Sequence, residues 1–182
     1  DEFFVSGSII PDEEVDLSFE TSGKITDIFF KEGTRVSKGD LLAKINDAPL
    51  QAELNKLKAQ LKLYTDRMYR QNALLEKEAV SQEAFQEAET NLATLQAEID
   101  KVVANIEQTE LRAPFDGIIG LRQVSVGAYA SPSTIIATLT SISPIKIEFS
   151  VSERYARDVK RGTNLTFNVD GHISPFEAQV YA

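Results

Sequence analysis

His172 is the only histidine in the chain, and there is no cysteine. The side chains that most often bind metals or open acyl bonds are therefore nearly missing. His172 sits beside the turn residue Gly171 with no carboxylate at ligand spacing, which does not suggest a metal centre. No glycine-flanked serine accompanies it, so a serine–histidine triad lacks its elbow. A second group of reactive side chains is Glu76, Glu78, Glu83, Glu87 and Glu89. Acid–base catalysis needs a cleft that isolates one carboxyl, whereas these read as the solvated face of a helix. The glycines fall at strand turns and not in a strand-to-helix phosphate loop, so nucleotide binding is unsupported. The chain is expected to be no enzyme, to carry no cofactor and to work by contact. Its net charge of −9 argues against nucleic acid and against anionic lipid as the partner.

The elements that would make such contacts begin with a helical stretch. Leu50–Ala113 holds neither Gly nor Pro, although the chain has 9 and 6 of them, and Pro49 and Pro114 bracket it. Dense Ala, Leu, Glu, Gln and Lys without backbone punctuation predicts helix. One apolar stripe runs Leu50, Leu54, Leu57, Leu61, Tyr64, Met68, Gln71 and Leu75, with Gln71 a polar lapse. Another runs Phe85, Ala88, Leu92, Leu95, Ile99, Val102, Ile106 and Thr109. Steps of three and four are the seam of a coiled coil. The second stripe is displaced in phase around Glu78-Ala79-Val80-Ser81, where Ser81 suits an N-cap and Glu83 the first turn after it. Two helices of about 28–30 residues, each roughly 45 Å long, are expected.

The flanks decide whether those helices form a rod or a hairpin. Short alternating runs with glycine turns predict strands at Val15–Phe19, Gly23–Ile28 and Leu41–Ile45. Adding 94 to each position pairs Leu17 with Leu111, Gly23 with Gly117, Ile25 with Ile119 and Gly33 with Gly127. The same offset pairs Val36 with Ala130, Gly39 with Ser133, Leu42 with Ile136 and Ile45 with Leu139, while Ile28 falls opposite Arg122. Two copies of one unit are implied. Each is too small to bury a face alone, so the two should pack on each other. A straight helix would hold them roughly 90 Å apart. The chain must reverse near Ala79-Val80-Ser81, as an antiparallel hairpin.

Beyond Ser141, strands are expected at Ile145–Val151, Leu165–Val169 and Phe176–Val180, with a short helix from Ser152 to Lys160 ending at Gly162. The strand Phe3–Ile9 would join them in a small, incomplete antiparallel barrel. The fold class expected is α+β: a sandwich split by a helical hairpin, plus a partial β-barrel. Residues 1–14 and 141–182 would form the barrel part, 15–48 and 111–140 the sandwich halves, and 49–110 the hairpin with its tip near 78–81. The abrupt start and the apolar end suggest a piece of a longer protein, with no transmembrane run and no secretory signal in the piece itself.

Gly23-Lys24-Ile25, Glu32-Gly33-Thr34-Arg35-Val36 and Lys38-Gly39-Asp40-Leu41-Leu42 resemble the half-motif of biotinyl and lipoyl domains. Where carriers of that fold present a lysine, this chain has Asn46-Asp47-Ala48-Pro49. A lipoyl-like sandwich split by a hairpin, its second half opening at Ala113-Pro114-Phe115-Asp116-Gly117 and leading to Ser143-Pro144-Ile145, resembles the periplasmic adaptor (membrane fusion protein) family of tripartite efflux pumps. The resemblance implies a periplasmic protein anchored to the inner membrane by a segment outside this chain. It also implies a ring, hexameric in the family, that joins an inner-membrane transporter to a TolC-like outer-membrane channel.

The family's tip motif is an Arg, a Leu four later and a Ser seven after that, and Arg70, Leu74 and Ser81 match it. Arg70 and Leu74 share a helix face at i and i+4. An Arg can fork onto carboxylates or carbonyls at another helix end, with Leu74 as an apolar contact beside it. On spacing alone the plainer reading is a solvated Arg70, Leu74 in the seam beside Leu75, and Ser81 as a cap. Their position at the reversal tilts the reading towards a partner contact. Metal-exporting relatives should show methionine clusters, whereas Met68 is the only methionine. The rival readings are an adaptor for an ABC-type exporter, a lipoyl or biotinyl carrier needing a modifiable lysine, and a plain coiled-coil spacer that leaves the repeat unexplained.

Overall fold

The computed structural model describes residues 4–182. It separates into two compact units, Pro11–Pro144 and Asp1–Ile10 with Ile145–Ala182.

In the larger unit, β2 (Glu14–Leu17), β3 (Gly23–Ile28), β4 (Arg35–Val36) and β5 (Leu41–Ile45) precede helices α1 (Ala48–Glu76) and α2 (Gln82–Glu107). Then follow β6 (Glu110–Arg112), β7 (Gly117–Ile119), β8 (Tyr129–Ala130) and β9 (Ala137–Thr140). Two four-stranded sheets result, ordered β2-β9-β7-β4 and β6-β5-β3-β8. Exchanging each strand for its mate in the other half turns one order into the other. The expectation that one copy packs on the other is therefore refined: the halves interleave, and each sheet takes two strands from each. Hydrogen bonds obey the same exchange. Gly33 N–H donates to Ile119 O at 2.8 Å, and Gly127 N–H donates to Ile25 O at 2.9 Å. Gly33 and Gly127 have φ of +73° and +94°, the left-handed region that favours glycine.

The sandwich core shows the repeat most fully. Its buried members in the first half are Leu17, Phe19, Ile25, Val36, Leu42, Ala43 and Ile45. Adding 94 to each gives Leu111, Ala113, Ile119, Ala130, Ile136, Ala137 and Leu139, which are the buried members in the second. Phe19 facing the role of Ala113, and Val36 that of Ala130, let large and small residues share one volume. Ile28 still packs against this core, whereas its mate Arg122 turns outward to Glu32 at 3.5 Å.

The hairpin leaves this sandwich through β5 and returns through β6. Leu54, Leu57, Leu95 and Ile99 are buried between the helices, and Leu61, Tyr64, Val102 and Ile106 pack beside them. From Met68 and Leu92 outward the seam residues are only half-buried. The helical stretch ends earlier than the absence of Gly and Pro suggests, since α2 has 26 residues. Thr109 stops it: its N–H and its Oγ1 both donate to Ile106 O, at 2.9 and 2.6 Å.

Asp47 fixes the start of α1. Its carboxylate meets Lys44 Nζ at 2.9 Å and accepts from Gln51 Nε2 at 2.8 Å. Burial alone would raise the Asp47 pKa, but these hydrogen bonds and the charge of Lys44 outweigh it and hold it below the ordinary 3.8. A carboxyl that is more acidic when folded stabilises above its unfolded pKa and loses that contribution as pH falls through its folded one. Asp47→Asn should cost about 0.5 kcal/mol near neutral pH, as expected for a partly solvated pair. Urea unfolding of the variant and the parent should then converge once the pH lies below the folded pKa of Asp47.

In the smaller unit, β1 (Gly7–Pro11) pairs with β10 (Ile145–Phe149), and β11 (Asn164–Phe167) pairs antiparallel with β12 (Phe176–Gln179). Phe3, expected in the first strand, lies outside the described residues. The helix expected from Ser152 to Lys160 is instead a series of turns, with Tyr155 N–H bonded to Ser152 O and Asp158 N–H to Tyr155 O. So short a segment, with few buried side chains, cannot offset the cost of helix nucleation.

Candidate functional site

The far end of the hairpin is shaped by two caps. At the end of α1, Ala79 N–H bonds to Leu74 O and Glu78 N–H to Leu75 O, both at 2.9 Å. This is a Schellman arrangement, with Glu78 at the left-handed position usually held by glycine. Glu78 has φ of +55° and is the one non-glycine residue with positive φ among those described. At the start of α2, Ser81 Oγ accepts from Ala84 N–H at 3.1 Å and Glu83 lies in the first turn. Ser81 therefore has the capping role that its position suggested.

One side of the hairpin just behind this turn opens into a groove of about 490 Å³. Tyr64, Arg67, Arg70, Gln71 and Leu74 form its α1 wall; Ala84, Glu87, Ala88 and Asn91 form the α2 wall. The cause is local packing. The seam here carries Gln71 against alanines, so the helices do not fill the space between them as Leu57 and Ile99 do below. The structure places Arg70 and Leu74 on this groove. Leu74 is 40% exposed, outside the seam that Leu75 occupies. Ser81 lies across the turn and does not line the groove.

The groove's electrostatics are two-sided. Arg67 lies 5.7 Å from the centre of the Tyr64 ring, a cation–π contact. Arg70 and Glu87 have no ion pair among the described residues. Gln71 Oε1 is buried and accepts no hydrogen bond from the protein. Spacing places Tyr64 in the apolar seam and not at a contact site, Arg67 and Asn91 carry no spacing signal, and Glu87 reads in sequence as one of several solvated acids. The signal available was the polar lapse at Gln71, next to Arg70. His172 makes an edge contact with Phe176 at 5.4 Å. No group of three or more His, Cys, Asp or Glu residues gathers at metal-binding distance among the described residues.

The sandwich and its hairpin coincide with a known unit. Residues 13–141 match the barrel-sandwich hybrid domain of the RND membrane fusion proteins. The chain belongs to that family. It is 29% identical over 162 residues to the multidrug resistance protein MdtE of Escherichia coli K12, covering 80% of this chain and 42% of the relative. It is 30% identical over 165 residues to the multidrug resistance protein MdtA of Pectobacterium carotovorum, covering 81% and 40%. A crystal structure of a MacA–MexA chimera that carries the Pseudomonas aeruginosa MexA α-hairpin domain superposes with a TM-score of 0.83 at 27% identity, over 98% of this chain and 66% of the chimera. The α+β class, with a lipoyl-like sandwich split by a hairpin, is that of the family. This chain spans less than half the length of those curated relatives. No helix among the described residues is long and apolar enough to cross a membrane.

Proposed function

We propose that this chain belongs to the periplasmic adaptor subunit of a tripartite efflux pump. The observation that carries the reading is the interleaved sandwich with seven core pairs at one offset, interrupted by a hairpin whose outer end exposes Arg70 and Leu74. A carrier would present a lysine at the sandwich turn; here Asn46 and Asp47 occupy it, and the nearby Lys44 is tied to Asp47. In this reading residues 15–48 and 111–140 are the sandwich halves, 49–110 the hairpin, and 1–14 with 141–182 the barrel part. The adaptor acts by binding and not by catalysis, and needs no cofactor. It is held at the inner membrane by a segment outside this chain and assembles into a ring of six. Sandwich and barrel face an inner-membrane transporter, and the hairpin tip reaches a TolC-like channel through Arg70, Leu74 and Ser81.

The full-length protein, crosslinked in its own cells and purified, should carry with it an RND transporter and an outer-membrane channel. Recovery with an ABC transporter instead would move the protein to the other exporter class. Recovery with neither would overturn the proposal.

A further inference from the structure

The sandwich halves interleave, so each sheet takes two strands from residues 14–45 and two from residues 110–140. What joins the halves is helix, and the turn Lys77-Glu78-Ala79-Val80-Ser81 holds neither Gly nor Pro. Nothing in its sequence stops a helix from running through it. In the turn, Glu78 has φ of +55°, a left-handed conformation that its Cβ disfavours and a continuous helix removes. The bonds from Glu78 N–H to Leu75 O and from Ala79 N–H to Leu74 O would give way to ordinary bonds four residues back. The seam column from Leu57 to Ile99 steps by seven straight across the turn, through Gln71, Glu78 and Phe85. A helix drawn through the turn therefore keeps that column on one side.

We infer that this turn is a hinge through which two copies of the chain exchange halves. With the turn drawn into one helix, residues 48–107 make a rod of about 90 Å, which parts the two halves of each chain. Each half then finds its mate in the other chain. The dimer carries a complete sandwich at either end of two antiparallel helices. Every strand pairing of the single chain is kept, that of β1 with β10 included, and only the turn differs, which is the pattern of a domain swap. Charge selects this arrangement over other helix pairings. α1 carries five cations against three carboxylates, and α2 six carboxylates against Lys101 alone. Setting α1 of one chain on α2 of the other is complementary, whereas α1 on α1 or α2 on α2 brings like charges together. Such exchange depends on the fold alone, whatever else the hairpin touches.

Crosslinking in cells with a short bismaleimide tests this. Arg35 stands opposite Ile118 in β4 and β7, and Lys24 opposite Tyr129 in β3 and β8, so each pair joins the two halves in a different sheet. One full-length copy carries Arg35→Cys, and a second copy made in the same cell carries Ile118→Cys. Lys24→Cys and Tyr129→Cys form the other set. Both sets should give a covalent dimer of the two copies. Glu78→Gly suits the left-handed turn and weakens a helix, so it should lower both products at least about tenfold. Glu78→Ala keeps the turn strained and favours helix, so it should raise them. Product from neither set, or from one set alone, overturns the exchange, because a swap assembles both sheets from two chains. Products that Glu78→Gly leaves unchanged overturn it as well.

Discussion

Arg70→Asp is expected to abolish efflux, so that cells carrying it tolerate no more drug than cells lacking the gene. The size of the effect follows from what Arg70 does not touch. It is exposed, lines the groove wall and has no ion pair among the described residues. Exposed positions of this kind change folding stability by about 0.5 kcal/mol or less. At a partner contact, reversing a charge that meets carboxylates or carbonyls costs about 2–5 kcal/mol, enough to empty a micromolar complex. Unaltered melting and expression together with lost resistance would thus locate the damage outside the fold. Ser81 needs a finer comparison, because its Oγ caps α2 through Ala84 N–H. Ser81→Arg removes that cap, worth about 1 kcal/mol, as well as any contact. Ser81→Asp keeps the capping acceptor and changes only the outward surface. Lost efflux in Ser81→Asp marks a contact; normal efflux there leaves Ser81 a cap alone. Normal drug resistance in Arg70→Asp cells would sink the tip assignment.

The parts legible in sequence were those written as side-chain pattern. The offset of 94 was visible because strand mates keep the same inward residues, and Phe19 with Ala113 and Ala43 with Ala137 extend it beyond the pairs first apparent. Interleaving was not visible. Alternation says which side chains point inward, but not that Val36 pairs with Gly117 from the other half. The hairpin turn could be read because Ser81 is chemically suited to cap. The end of α2 could not, because Thr109 ends the helix by bonding back to Ile106 without Gly or Pro.

The candidate site divides in the same manner. Arg70 and Leu74 fall on one wall, as positions i and i+4 must. The facing wall depends on helix register, which brings Glu87 and Asn91 to the groove that Arg67 and Gln71 line, and no spacing within α1 reports that. The groove follows from a seam that loosens outward, where Gln71 stands with Ala84 and Ala88 in place of larger apolar side chains. Weakly packed ends open locally at low cost, so the outer end of the hairpin is the part with least packing of its own.

The second large effect lies in the sandwich, at Gly117. Its repeat mate is Gly23, yet the two should respond differently to the same change. A Cβ on Gly117 would press on the backbone carbonyl of Thr140, with Leu139 Cδ1 at 3.2 Å. Thr140 belongs to β9, an inner strand held on both sides by β2 and β7, so its carbonyl cannot step aside without moving the ladder. A Cβ on Gly23 would meet the Ile45 side chain, Cδ1 at 3.1 Å and Cβ at 3.4 Å, and a methyl at the end of a side chain can rotate away. Gly117→Ala should therefore cost about 3 kcal/mol, the upper range for overpacking a core, and Gly23→Ala about 1 kcal/mol or less. For a chain of this length the first should lower Tm by about 6–12 °C. Urea unfolding of both variants decides it, and equal losses would show that the repeat is symmetric in its packing as well as in its strand order. Efflux should also fall in Gly117→Ala cells, but in step with the amount of folded adaptor. That is the reverse of Arg70→Asp, where the protein stays and the contact goes.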